Sequence, residues 1–256
     1  MLFSARRRVP VYTIISLISV VAFLSIWEYA GAAGWVKPVF LPRPTVVFAE
    51  GLRLFRNGVI LADVLASTRR VLVGFGLATA VAIPLGILMG TSPVVKAVFD
   101  PIISIIRPLP ALSWIPLSML WLGLGEAQKY GIVFMGAFAA AVVYVMEATR
   151  RVDPILIRAA QNLGASRYRV MKEVILPAAL PSVLSGMKVV LGVAWTCIIS
   201  AEMVGASTGL GFLIWNAKDW NNTPQVLLGM VGISLTVLVI DVAFRWVERR
   251  LVPWEL

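Results

Sequence analysis

Histidine is absent from the 256 residues, and cysteine occurs once, as Cys197. The first absence removes imidazole acid–base catalysis, histidine-ligated metals and histidine triads. The second removes disulfides, CxxC redox chemistry and cysteine-rich zinc or iron–sulfur sites. Charge is also scarce, at 14% of residues, against ~25% in an average soluble domain. No glycine is followed by lysine, so the chain carries no G-x-x-x-x-G-K-[ST] phosphate loop. Gly209-Leu210-Gly211 starts like a dinucleotide fingerprint, but Ile214 stands where the third glycine would be and no βαβ pattern surrounds it. No paired-carboxylate or nucleophile motif stands out. No catalytic residue and no metal site are expected, which argues against a membrane-embedded enzyme.

What the chain has in excess is apolar surface: 59% apolar residues and a mean hydropathy of +0.89. One soluble core cannot hide that excess, so the chain reads as an all-α polytopic membrane protein forming a single transmembrane domain over 1–256. A crossing helix needs ~20 mostly apolar residues. Six stretches qualify: about 11–33, 71–90, 101–122, 130–146, 183–204 and 226–247. An even number places both ends on one side. Most basic residues then fall on the side of the termini: Arg6, Arg7 and Arg8, Lys96, the cluster from Arg150 to Lys188, and Arg245, Arg249 and Arg250. That bias makes both termini cytoplasmic. The net charge of +10 is read the same way, as basic loops near anionic lipid, with no nucleic-acid partner. The polar stretch 53–70 reads as an amphipathic helix along the outer membrane surface. Arg6 to Arg8, an apolar run and Ala30-Gly31-Ala32 imitate a secretory signal. The run continues past Glu28, however, which fits an uncleaved first span better.

Several charges lie at or near membrane depth: Glu28, Arg107, Glu147, Glu202 and Asp241. A charge at the bilayer centre costs ~2.5–3.5 kcal/mol on insertion scales, so each needs a reason. Glu147 and Asp241 lie toward span ends and can snorkel, and Arg107, early in the third span, can also snorkel inward. Arg107 and Glu202 have two readings, structural pairing or lining of a solute path. Around Arg107 the sequence runs Arg107-Pro108-Leu109-Pro110, then Ser113-Trp114-Ile115-Pro116. Three prolines remove three backbone donors from the third span and kink it, and Pro84 does so in the second. Broken helices beside polar and aromatic side chains suit a gated path, so Arg107, Trp114, Trp195 and Glu202 are the path candidates. The alternative at each proline is an ordinary packed kink. Gly86 and Gly90 form a small-xxx-small pattern that reads as close helix packing.

The stretch from Arg150 to Lys188 is the most informative. Asp153-Pro154 is a helix start, a cap followed by proline in the first turn. Ile155, Ala159 and Leu163 follow at helical spacing on one face, with Arg158, Gln161 and Asn162 off it. Gly164 can take the positive φ that ends a helix. Ser166 can cap a second short helix with Tyr168, Met171 and Ile175 on one face, stopped by Pro177 and Pro181. Two short cytoplasmic helices thus meet at a glycine. Ala159-Ala160 leaves a low surface where another protein can approach; the competing reading is a helix resting on lipid.

This stretch resembles the EAA loop of ABC-importer permeases, EAA-x3-G-x9-I-x-L-P. Ala159, Ala160, Gly164, Leu176 and Pro177 match it, while Arg158 replaces the glutamate and Val174 the isoleucine. The chain is more closely similar to the sulfonate/taurine/nitrate/bicarbonate branch. That likeness runs from Phe40-Leu41-Pro42-Arg43-Pro44 through Arg70-Val71-Leu72-Val73-Gly74-Phe75 and Arg107-Pro108-Leu109-Pro110 to Ala201-Glu202-Met203. The resemblance implies a permease that pairs with a second copy as a homodimer above two separate ABC ATPase subunits. Those subunits would bind ATP and Mg, and this chain would hold no cofactor. An extracytoplasmic solute-binding protein would deliver the solute. The loop holding Arg158, Ala159, Ala160, Gly164, Leu176 and Pro177 would dock on the ATPase, driving alternating access across the bacterial inner membrane. The branch implies a small anion such as an alkanesulfonate or taurine, with nitrate, bicarbonate or a pyrimidine-like solute as alternatives. A passive channel, a different class, would need no docking loop.

Overall fold

The computed structural model describes residues 9–253. Arg6, Arg7 and Arg8, on which part of the orientation argument stands, lie outside them. Among the described residues there is no strand, so the fold is all-α. Packing divides the chain into two compact units. One is the chain up to Leu61 with Leu213–Val231, and the other is Ala62–Phe212 with the chain from Gly232 onward.

The first unit holds α1 (Val9–Ala32) and α2 (Pro44–Arg56). Ile14, Leu17, Ile18, Phe23 and Ile26 of α1 are all exposed, which is stable only where the solvent is lipid. Glu28, near the end of α1, has a local job. Its carboxylate accepts from the Thr45 backbone N–H (3.1 Å) and Oγ1 (2.9 Å). An acidic group there satisfies an open donor in the first turn of α2 and complements its dipole. The surface helix expected over 53–70 is therefore placed differently. The short polar helix is α2, and it ends at Asn57-Gly58, where Gly58 has φ +72°.

The next helix, α3 (Val59–Thr91), is continuous through Pro84. Its buried stripe is Asp63, Ser67, Arg70, Val71, Gly74, Ala78, Ala82, Gly86 and Met89, one face at helical spacing. Leu65, Leu72, Leu77, Val81 and Leu88 point outward. Small residues inside and large ones outside are what a lipid-facing helix needs, because lipid tails are as apolar as leucine. A Cβ on Gly86 would stand 2.6 Å from Val145 Cβ, and one on Gly90 2.6 Å from Thr149 Cβ. The pair seen in the sequence therefore sets how closely α3 meets α6 (Glu126–Arg150).

The expected third span is corrected. Helix α4 begins earlier, covering Pro93–Ile106. A 3-10 turn at Ala111–Trp114 then leads into α5 (Ile115–Leu122). The two helical pieces are bent by 92° at the break that holds Arg107 to Pro110. Pro108 and Pro110 cannot donate, so the turn cannot continue there. Among the described residues five helices are long and apolar enough to cross a membrane, or six if this bent pair counts as one span.

Helix α7 covers Pro154–Asn162, and α8 covers Arg167–Met203. The expectation that Pro177 and Pro181 end a separate short helix is also corrected, since both lie inside α8. A wider π-type turn at Met171–Ile175 precedes Pro177, closed by the Leu176 N–H on the Met171 carbonyl. That widened turn accommodates a residue with no N–H and a bulky ring. Helices α9 (Leu210–Asp219) and α10 (Thr223–Leu251) complete the fold. Lys188 of α8 and Glu248 of α10 form an ion pair.

Candidate functional site: a cavity, a buried charge cluster and a docking loop

Helices α6 and α8 form the core of the second unit, with Ile132, Val133, Val142, Val190, Ala194 and Ile198 fully buried or nearly so. Beside them lie two adjoining cavities of about 470 Å³ each, which share Arg107, Ala140 and Val193. One extends toward Tyr144, Glu147, Arg151 and Ser182. The other extends along the break in the third span toward Gly136, Thr196, Cys197 and Ser200. The Arg107 side chain makes no hydrogen bond or ion pair among the described residues. The shared part is otherwise walled by Ala140 and Val193, so a guanidinium without a partner is its most polar donor.

A second feature is a charge cluster binding α3, α6, α8 and the start of α9. Glu202 is 1% exposed. Its carboxylate accepts from Arg70 Nη1 (2.8 Å), Ser67 Oγ (2.8 Å) and the Gly211 N–H (2.9 Å). Arg70 also donates to Glu126 (Nη2 to Oε1, 2.6 Å) and to the Thr208 carbonyl (2.6 Å). Asp63 accepts from the Gly209 N–H (2.8 Å), and Ser67 Oγ from the Leu210 N–H (2.9 Å). Three successive backbone donors at the start of α9 are thus satisfied by three side chains from α3 and α8. Gly209 has φ +120°, and a Cβ there would collide with the Glu202 carboxylate. Only glycine allows that approach.

A third feature is the loop around α7. Asp153 Oδ1 accepts from the Ile155 N–H (2.8 Å), as the sequence indicated. Gly164 has φ +80°. Its N–H donates to the Gln161 carbonyl (2.9 Å), and the Ala165 N–H to the Ala160 carbonyl (3.0 Å), a closed helix end. Ser166 Oγ then accepts from the Arg169 N–H (3.3 Å). No residue of α7 is buried. Ile155 is 69% exposed, Leu163 89% and Tyr168 74%. Arg158 and Ala159 are exposed, Ala160 half-buried, Leu176 exposed and Pro177 half-buried.

A match to the family described as "Binding-protein-dependent transport system inner membrane component" spans residues 82–254. The chain is 35% identical to the taurine transport system permease protein TauC of Escherichia coli over 94% of this chain and 90% of that one. It is 31% identical to the putative aliphatic sulfonates transport permease protein SsuC of Bacillus subtilis, covering 91% of this chain and 84% of the relative. The chain belongs to this family of transport permeases. It is a multi-pass membrane permease of ABC-importer type, a component that works with ATPase partners. It is also 28% identical to the bicarbonate transport system permease protein CmpB of Synechococcus elongatus, over 92% of this chain and 88% of that one. The permease fold is shared with a chain of the inward-facing MetNI methionine ABC transporter, at TM-score 0.67 and 20% identity over 75% of this chain and 96% of that one.

Of the four residues singled out for a path, Arg107 alone is among the residues lining the two cavities, and it lines both. Trp114 is half-buried in the turn before α5. Trp195 is buried, and its indole N–H has no partner among the described residues. Glu202 lies in the charge cluster. Sequence reasoning placed Arg70 in an outer polar stretch and did not see Asp63, Ser67 and Glu126. The signal was there, since residues 63, 67 and 70 stand at i, i+4 and i+7 on one helical face.

Proposed function

We propose that this permease pairs with a second copy, stands over two ATPase subunits, and imports a small organic anion delivered by an extracytoplasmic binding protein. Its two termini face the cytoplasm of a bacterial cell. ATP and Mg bind in the ATPase subunits, and this chain holds neither. The observation that carries the reading is α7, a short capped helix that buries none of its residues and exposes Ile155 and Leu163. A nine-residue helix is marginal alone, and an apolar face at a cytoplasmic turn calls for a partner surface. ATP-driven closure of two ATPases would move paired α7 helices and turn the path from one side of the membrane to the other.

An alkanesulfonate or taurine is favoured as solute by the TauC and SsuC relatives, permeases for taurine and aliphatic sulfonates at 35% and 31% identity. Bicarbonate is the second reading, favoured by the CmpB relative. The test is reconstitution with the ATPase and binding protein encoded alongside. The expected result is ATP-dependent uptake of labelled taurine or butanesulfonate, requiring the binding protein. Uptake of bicarbonate alone would select the second reading, and uptake without ATPase or binding protein would indicate a passive channel.

A further inference from the structure

We propose that Arg107 is a solute contact, the anion-binding group of a transient site in the paired cavities beside α6 and α8. The proposal rests on the reading of this permease as an importer of small organic anions and locates where the anion touches the chain. Four observations carry it. Arg107 lies at the break between α4 and the turn before α5, where the chain bends by 92°. It lines both cavities. Its guanidinium has no carboxylate or carbonyl partner among the described residues, whereas Arg70, the arginine buried in the same unit, is bonded on every side. The shared walls are Ala140 and Val193, with Val143 and Val189 close by.

An arginine at membrane depth is retained where it pairs, snorkels or serves a pathway. Pairing is absent here, and the cavities give the side chain an open volume to occupy. A guanidinium presents a planar fork that matches the oxygens of a sulfonate. The Ala and Val walls suit a short alkyl body. Ligand sites commonly combine such apolar walls with a few polar anchors. Tyr144 and Ser182 line one cavity with hydroxyls that make no hydrogen bond among the described residues, leaving donors for the remaining oxygens. Glu147 and Arg151 line that same cavity. With Arg107 they leave it one net positive charge, favouring a solute of net negative charge or a sulfonate that also carries an ammonium.

The experiment uses the complete transporter in vesicles, with its ATPase and its binding protein. The probes are labelled taurine and butanesulfonate, and the readout is solute delivered per ATP hydrolysed. Arg107→Gln should lower that ratio by about tenfold to a hundredfold, as expected when a charged hydrogen-bond donor to the solute is lost. Arg107→Lys, which keeps the charge without the fork, should fall between. A purely structural role would lower transport and hydrolysis together and leave the ratio unchanged, and that result would overturn the proposal. If Arg107→Gln does not assemble, Arg107→Lys decides. A wild-type ratio in the lysine variant overturns the proposal, and a lowered ratio supports it. Failure of the wild-type transporter to move either probe would refute the organic-sulfonate reading on which the proposal rests, which is distinguishable from a variant that moves them normally.

Discussion

Arg70 meets Glu126, Glu202 and the Thr208 carbonyl at once, and its side chain is 5% exposed. Removing one partner of a buried pair leaves the other charge without compensation, which costs about 3–5 kcal/mol. Arg70→Leu should therefore lower the thermal unfolding midpoint of the purified permease in detergent. Glu126→Gln should cost less, because Glu126 is 39% exposed at its side chain and water replaces part of the contact. Equal losses in the two variants would contradict the burial argument. Gly209 gives a second measure of the same cluster. Gly209→Ala should destabilise by a comparable mechanism, through the strained positive φ and the collision with Glu202. Of the charged residues in the cluster, Glu202 was the one singled out as a candidate in the sequence. A lone acid in an apolar run is visible locally, but its counter-ion lies 132 positions away and leaves no local trace.

At the scale of the element, α7 and the α3–α6 contact make opposite demands on small residues. On α7 they keep a surface open. Gly164→Leu would force an unfavourable φ, and Ala159→Trp would hold a docking partner away from the helix. Overpacking a close contact costs ~1–3 kcal/mol, enough to uncouple a marginal docking without unfolding the membrane helices. Both variants should insert normally yet lose co-purification with the ATPase, or lose the hydrolysis stimulated by loaded binding protein. Normal association and stimulation in both would return α7 to a helix lying on lipid. Between α3 and α6 the small residues bring two helices together. Gly86→Val would drive a side chain into Val145 and the Val142 carbonyl. It should lower stability in detergent, with ATPase docking affected only secondarily. The start, end and exposed face of α7 were legible because caps, a C-terminal glycine and helical periodicity are local. The course of α8 was not, because Pro177 reads as a stop unless the π-type turn before it is known.

For the whole molecule, the orientation makes a simple prediction. Gly58 lies between α2 and α3, before the first helix of the second unit. A reporter fused there should sit outside the cell, and one fused after Leu256 inside. Finding both on one side would reject the arrangement in which the basic loops face the cytoplasm. The purified permease alone should hydrolyse no ATP, in keeping with the missing phosphate loop, and hydrolysis by the isolated chain would refute the division of labour with separate ATPases.

Composition alone determined the solvent of this protein. With 59% apolar residues and 14% charged, its helices must meet lipid, and a backbone in lipid must satisfy itself within helices. Local pattern determined the helix–turn–helix around α7, because a cap, an amphipathic turn and a glycine act within one or two turns of chain. Tertiary structure decided the rest. Whether α4 and α5 form one span or a bent pair depends on what packs against the proline break. Whether an arginine is bonded or free depends on residues brought from elsewhere in the chain. Arg70 and Arg107 are the same residue type, yet packing encloses one among carboxylates and leaves the other lining a cavity. Charge–charge pairing acts over a few ångströms in space, at any separation along the sequence, so only the folded chain assigns the partners.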